Sequence, residues 1–383
     1  MTAIASATLE DGGRAARVTW ADGASSRFHA VWLRDNCQDA RCRHPGNGQR
    51  LFDILDLPAD LRLAKAAPSA DGDALEVVFA PEGHATRFAA GWLRAHRYDA
   101  AERRAPGWLK GGVEPWGREL GDALPSLPFD AISRDERALA RWLGWVARYG
   151  FAVATGAPRA PGTVTRVVDL FGFVRETNYG RLFDVRSEPD PINLAYTGLG
   201  LQVHTDNPYR DPVPGLQLLH CLSNAAEGGD SVVVDGFRAA LTLKEERPEA
   251  FALLTRHPVR FAYANATTRL AAKAPMLGLS VVGELVEVRF NNRSLAGVEA
   301  PGEAMAAFYA AYRAFAEILE RPELELVFKL APGDLFIVDN RRVLHGRKAF
   351  ASAGGRHLQG CYADRDGLLS TLAVLREKHE GRA

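Results

Sequence analysis

From Tyr179 onward the apolar and aromatic residues of this chain come in strand-length runs broken by Gly and Pro: 216–222, 231–234, 259–263, 285–290, 324–330, 335–338 and 357–362. So many short runs in one stretch predict a mainly β domain with flanking helices, built as a double sheet, sandwich or jelly roll. The helical exceptions are 236 to about 244, continued through Pro248, and 303 to about 319. A double sheet of this kind can hold a metal ion in its mouth.

A strand-like run through Leu201 and Val203 carries His204 and Asp206. Period-2 alternation turns both side chains to one face, so the pair can supply two ligands to a metal. The third has to come from far along the chain. His345 offers it, on a strand-like run after the turn at Pro332-Gly333-Asp334. Two histidines and one carboxylate form the facial triad that leaves open positions on non-haem Fe(II) for a cosubstrate and oxygen.

With 383 residues, 47% of them hydrophobic, the chain can bury a large core and is long enough for two domains. The 47 basic and 47 acidic residues cancel, which gives no footprint for nucleic acid or an anionic membrane. No apolar run reaches transmembrane length, and Met1 to Ser6 lacks the charged start of a signal peptide. The expectation is a cytoplasmic enzyme. Four cysteines do not make a disulfide framework, and a reducing compartment suits both thiolate ligands and Fe(II).

Residues 1–106 read as a separate small β domain, because they nearly repeat. Val18-Thr19-Trp20, Arg27-Phe28 and Trp32-Leu33-Arg34 are echoed by Val77-Val78-Phe79, Arg87-Phe88 and Trp92-Leu93-Arg94. Between the halves, Cys37 and Cys42 suggest a structural zinc. Such a site needs four ligands, with Asp39 and His84 as candidates for the other two and His44 competing. Residues 107–128, with Pro106-Gly107, Gly111-Gly112, Pro115 and Pro125, read as a linker to a catalytic domain over 129–383. That domain begins with an amphipathic helix over 135–150, a strand over 151–156 and a helix over 162–175.

The motifs Trp32-Leu33-Arg34-Asp35-Asn36-Cys37, Asn193-Leu194-Ala195-Tyr196, His204-Thr205-Asp206, Gly215-Leu216-Gln217, Gly228-Gly229-Asp230-Ser231, Asp339-Asn340, Leu344-His345-Gly346-Arg347 and Arg356-His357-Leu358 occur in this order. In that company the chain resembles the Fe(II)- and 2-oxoglutarate-dependent dioxygenases of the γ-butyrobetaine hydroxylase and taurine dioxygenase group, over nearly its whole length. The resemblance implies a double-stranded β-helix catalytic domain, a zinc-binding N-terminal domain and a homodimer. It implies Fe(II) on His204, Asp206 and His345. Arg356 would take the distal carboxylate of 2-oxoglutarate with Ser231 nearby, and a guanidinium suits that planar, bidentate pairing. The implied reaction uses O2 and turns 2-oxoglutarate into succinate as an unactivated C–H bond is hydroxylated.

The nearest members of the group hydroxylate small zwitterions bearing a trimethylammonium. That cation makes no hydrogen bonds, so aromatic faces must recognise it. Tyr179, Phe183, Tyr196 and Tyr362 match the pocket positions, and Asn193 matches a substrate-orienting one. Animal γ-butyrobetaine hydroxylases carry Trp, Tyr and Trp where this chain has Phe183, Asn207 and Arg365, so it looks like a bacterial member. Asn207, Tyr209, Asn292 and Arg293 add polar donors near the triad. Arg293 suits a dianionic phosphonate, which tilts the expectation toward 2-trimethylaminoethylphosphonate over a carnitine-forming role on γ-butyrobetaine. A non-catalytic binding protein would lack a ligand or the cosubstrate arginine, and neither is missing. A taurine-like or aryloxyacetate substrate is disfavoured by the aromatic set and by the N-terminal domain.

Overall fold

The computed structural model describes residues 3–99, 104–186, 200–226, 228–349 and 355–380. The chain divides into two compact units, Met1–Arg103 and Arg104–Ala383. The first holds β1 (Ile4–Glu10), β2 (Ala15–Trp20), β3 (Ser25–His29), α1 (Ala30–Asp35), β4 (Arg62–Pro68), β5 (Ala74–Ala80), β6 (Ala85–Ala89) and α2 (Ala90–Ala95). Two antiparallel three-stranded sheets, β1-β2-β3 and β4-β5-β6, correspond to the sequence repeat. Each repeat ends in one short helix that buries its leucine, Leu33 or Leu93, while Trp32 and Trp92 meet with ring centroids 5.6 Å apart.

The second unit opens with β7 (Ser126–Pro128), α3 (Phe129–Arg134), α4 (Glu136–Tyr149), β8 (Phe151–Thr155), α5 (Thr163–Val168), β9 (Phe183–Arg186), β10 (Leu201–His204), β11 (Leu216–Asn224) and β12 (Ser231–Asp235). Next come α6 (Gly236–Glu246), α7 (Pro248–Arg256), β13 (Val259–Ala264), β14 (Arg269–Ala274), β15 (Leu277–Leu279), β16 (Leu285–Val288), β17 (Leu295–Val298) and α8 (Gly302–Leu319). It closes with β18 (Leu326–Phe328), β19 (Leu335–Asp339), β20 (Val343–Arg347), β21 (Arg356–Ala363) and α9 (Arg365–Glu380). A four-stranded sheet, β10-β20-β12-β18, faces a six-stranded one, β7-β8-β19-β11-β21-β9. Val233 and Val343 of the first meet Leu219, Phe336 and Leu358 of the second in one buried cluster. The outer face of the larger sheet buries Leu216, Leu218 and Ile337 under Trp142 and Leu143 of α4, Val164 and Val167 of α5 and Leu368 and Leu372 of α9. The chain is mainly β with helices packed outside, as its periodicity predicts.

Helix α4 begins where Asp135 accepts from Arg137 N at 2.9 Å and stops at Gly150, which takes φ 71°. Two expectations need correction. The helix expected over 162–175 ends at Val168, since Val174 bridges to Ala363 and Arg175 N donates to Tyr362 O at 2.8 Å, joining this segment to β21. The stretch 107–128, rich in Pro and Gly, belongs to the second unit and packs on it. Gly107 N donates to Gly283 O at 2.7 Å, and the buried Trp116 donates through Nε1 to Tyr149 O at 2.6 Å. Glu114 O accepts from Arg342 Nη2 at 2.6 Å. Arg342 is itself paired with Asp235 through two bonds of 2.9 and 2.8 Å, both groups buried.

Candidate active site

The triad is assembled by one strand pairing. His204, the last residue of β10, stands opposite His345 of β20, and the imidazole centroids lie 4.6 Å apart. The two strands lie so close that a Cβ on Gly346 would come within 2.6 Å of Leu201 O. Strand alternation does not deliver Asp206, because β10 has already ended. Asn340 holds the carboxylate's residue instead, accepting from Asp206 N at 2.7 Å and donating to Asp206 O at 2.9 Å. Thr205 is pinned to Phe290 by a backbone bond of 2.8 Å and by its hydroxyl, which accepts from Phe290 N at 3.0 Å.

The donor set fits a divalent transition metal. The ligating atoms of His204, Asp206 and His345 all lie within 4.8 Å of one another. His204 Nδ1 donates to Gln202 O at 2.8 Å, which leaves the Nε2 lone pair free for a metal. Asp206 Oδ2 accepts from Gln217 Nε2 at 2.6 Å and from the Tyr362 hydroxyl at 2.7 Å, and Oδ1 faces the histidines. Burial opposes the Asp206 charge, but His204, His345 and the Tyr362 hydroxyl around it hold its carboxyl well below the usual range. Burial, helped by His204, lowers His345 to about 3. Without metal, one anion and a neutral imidazole therefore converge at neutral pH, as a cation requires.

A cavity of about 510 Å³ opens over the triad between the two sheets. At one end stand Arg356, Ser231 and Arg347, with Leu219, Phe336 and Leu358 as apolar walls. Arg356 is buried and opens β21, and its Nε has no hydrogen-bond partner among the described residues. Ser231 pairs in register with Arg347, and burial together with neighbouring Arg356 brings Arg347 down to about 10. Two cationic groups and a hydroxyl beside a metal suit the distal carboxylate of a keto diacid.

Elsewhere the cavity is aromatic. Tyr179 and Tyr209 share a hydroxyl–hydroxyl bond of 2.8 Å, and Tyr263 stacks on Tyr209 at 5.1 Å. Burial pushes Tyr209 up to about 12 and Tyr179 higher still, so both stay neutral. Phe183 and Tyr362 form a second pair, 5.0 Å apart, which only Gly360 permits: a Cβ there would lie 2.4 Å from the Phe183 ring. Asn207 is buried and takes φ 52°, its amide beside the Tyr362 hydroxyl. Arg293 lines the cavity from a short turn over Asn292–Ser294.

His204, Asp206, His345, Arg356, Ser231, Tyr179, Phe183, Asn207, Tyr209, Arg293 and Tyr362 thus share one cavity. Asn193 and Tyr196 lie outside the described residues. Asn292 does not join the others: it is exposed and its amide oxygen accepts from Tyr312. Gln217, Asn340 and Arg347 stand inside the motifs quoted above but carry no assigned role there, and Tyr263 lies outside them; the structure places Gln217, Arg347 and Tyr263 on the cavity and Asn340 behind Asp206.

The N-terminal unit holds a second cluster, in which Cys37, Cys42 and His84 converge, with His84 Nε2 3.4 Å from Cys37 Sγ and 3.6 Å from Cys42 Sγ. Burial and the adjacent Cys37 push the Cys42 thiol up to about 11. Asp39 is not in this cluster. Its carboxylate accepts from Arg41 N, Nε and Nη2 at 2.9, 2.8 and 2.9 Å, which turns it from the thiols, and His44 Nδ1 is engaged by Gly46 N at 3.1 Å.

A two-sheet fold with two histidines, a carboxylate and a cationic pocket beside them defines a non-haem iron oxygenase, and sequence comparison agrees. Residues 110–362 match the "Taurine catabolism dioxygenase TauD, TfdA family", and residues 7–95 match "Gamma-butyrobetaine hydroxylase-like, N-terminal". The chain belongs to this family, and it is an Fe(II)- and 2-oxoglutarate-dependent dioxygenase. It is 41% identical to a gamma-butyrobetaine dioxygenase of Pseudomonas sp. (strain AK-1), over 94% of this chain and 93% of that one. It is 32% identical to the human gamma-butyrobetaine dioxygenase, covering 98% of each. The mitochondrial trimethyllysine dioxygenase of Mus musculus is also 32% identical, over 92% of this chain and 84% of its own length. No helix among the described residues is long and apolar enough to cross a membrane.

Proposed function

We propose that the enzyme hydroxylates a small trimethylammonium zwitterion, with His204, Asp206 and His345 holding the iron in the mouth of a double-stranded β-helix. The observation that carries this reading is the cavity itself, where one aromatic pair, Phe183 and Tyr362, and one tyrosine trio, Tyr179, Tyr209 and Tyr263, line the same space as the triad. Iron with 2-oxoglutarate and O2 supplies the oxidising chemistry that puts a hydroxyl on an unactivated carbon. The chain's own residues do the positioning. Arg356, with Ser231 and Arg347 beside it, anchors the distal carboxylate of 2-oxoglutarate through charge-assisted bonds. The aromatic faces seat the ammonium, each contact contributing about 0.5–2 kcal/mol. The Asn207 amide, beside the Tyr362 hydroxyl, orients the substrate. Because such an oxidant attacks whichever C–H bond is nearest, this seating decides where the hydroxyl goes.

Two substrates fit, differing at the anionic end. Arg293 lines the cavity within reach of the Asp206 charge and forms no ion pair within 4 Å among the described residues, which favours a dianionic phosphonate such as 2-trimethylaminoethylphosphonate. The relatives' activity favours γ-butyrobetaine. Succinate release with Fe(II), 2-oxoglutarate and a panel of γ-butyrobetaine, 2-trimethylaminoethylphosphonate, trimethyllysine and taurine tests the class, and turnover of taurine alone would overturn it. Arg293→Ala separates the two heads: a much larger loss of kcat/KM for the phosphonate supports that reading, and equal losses remove it. In the N-terminal unit, Cys37, Cys42 and His84 support a zinc staple that takes its fourth ligand from elsewhere.

A further inference from the structure

Asp206 has two oxygens, and the structure treats them differently. Oδ1 lies 3.3 Å from His204 Nε2 and 3.9 Å from His345 Nε2. Oδ2 is turned away and accepts two hydrogen bonds, 2.6 Å from Gln217 Nε2 and 2.7 Å from the Tyr362 hydroxyl. A carboxylate oxygen has two in-plane lone pairs, so these donors fill Oδ2. Both donors are themselves held. Gln217 and Tyr362 are partners in the β11–β21 register, and both are buried. Asn340 fixes Asp206 from the backbone side.

We propose that Gln217 and Tyr362 are positioning residues that restrict Asp206 to ligation through Oδ1 alone. A carboxylate free to rotate could chelate through both oxygens and occupy a coordination position that a cosubstrate needs. With Oδ2 filled from two sides, His204, Asp206 and His345 would hold the metal through one atom each and leave it positions for the cosubstrate. Tyr362 thereby has a task beyond its place in the cavity wall: its ring faces Phe183 and its hydroxyl sets the ligand. This inference rests on the triad being the iron site.

The test uses the full-length protein and the variants Tyr362→Phe, Gln217→Met and His204→Ala. Fe(II) affinity is measured anaerobically, and Co(II) is added as a probe whose visible d–d bands report coordination number. Both positioning variants are expected to bind Fe(II) about 10–100-fold more weakly, the usual effect of removing a hydrogen-bond partner of a metal ligand. Their Co(II) bands should weaken and shift toward a higher coordination number, while circular dichroism stays native. If wild type and both variants share one Fe(II) affinity and one Co(II) spectrum while His204→Ala loses binding, the clamp is wrong and the triad stands. If His204→Ala binds as wild type does, the triad reading itself fails. Each substitution removes one donor and keeps the side chain's bulk, so should one variant fail to fold, the other decides.

Discussion

Replacing Arg356 with Met should separate the enzyme's stability from its use of 2-oxoglutarate. Arg356 is 6% exposed, its Nε has no hydrogen-bond partner among the described residues, and it shares its cavity with Leu219, Phe336 and Leu358. Burial lowers its pKa, the mark of a cation held away from water. Methionine fits such walls, so the ligand-free variant should melt no lower than wild type, since swapping a buried charge for an apolar side chain is often neutral or stabilising. Cosubstrate binding should suffer. Two charge-assisted bonds at about 1.5–2 kcal/mol each come to about 3–4 kcal/mol, or roughly two to three decades in KM for 2-oxoglutarate. Ligand-induced stabilisation gives a second reading. At 100 times its Kd, 2-oxoglutarate should stabilise wild type by about 2.7 kcal/mol, and the same concentration should give the variant less than about 0.5 kcal/mol. Steady-state kinetics and thermal melts with and without 2-oxoglutarate measure both. An unchanged KM, or a ligand-free variant that melts far below wild type, would refute the argument by showing that Arg356 has a structural partner.

Three other outcomes follow from the geometry. Arg342→Ala leaves Asp235 buried opposite a cavity, so unfolding free energy should fall by about 3–5 kcal/mol in denaturant titrations, and a loss under 1 kcal/mol would show that the pair is not needed. In chelator-treated protein, native His345 resists protonation down to about pH 3 while the unfolded chain takes up that proton near 6.5. The unfolded state binds more protons in that window, so stability should fall as pH drops below 6.5, by up to about 1.4 kcal/mol per unit from this site. His345→Gln should flatten that slope, and a slope unchanged by the variant counts against the assignment. Metal analysis should find zinc in the N-terminal unit, lost in Cys37→Ser with a lower melting temperature; purified wild type without zinc would end the staple reading.

Local order dictated much of what the sequence made legible. Short apolar runs broken by Gly and Pro marked β11, β12, β19 and β21 within one or two residues, and Asp135 and Gly150 bounded α4, because run length, caps and left-handed glycines act over a few neighbours. His204, Asp206 and His345 could be singled out as a set because their chemistry is unusual in company. The tertiary structure decided how they meet. Asp206 reaches the site by Asn340, 134 residues away, and not by strand alternation, and its second oxygen is committed to Gln217 and Tyr362 across a β11–β21 pairing. Asn292 and Asn207 are both polar residues beside motifs, yet one turns to solvent and Tyr312 while the other is buried in the cavity. Asp39 stands between two cysteines but gives its carboxylate to Arg41. Such choices depend on which distant group satisfies a polar atom once water is excluded, and no pattern within a few residues carries that information.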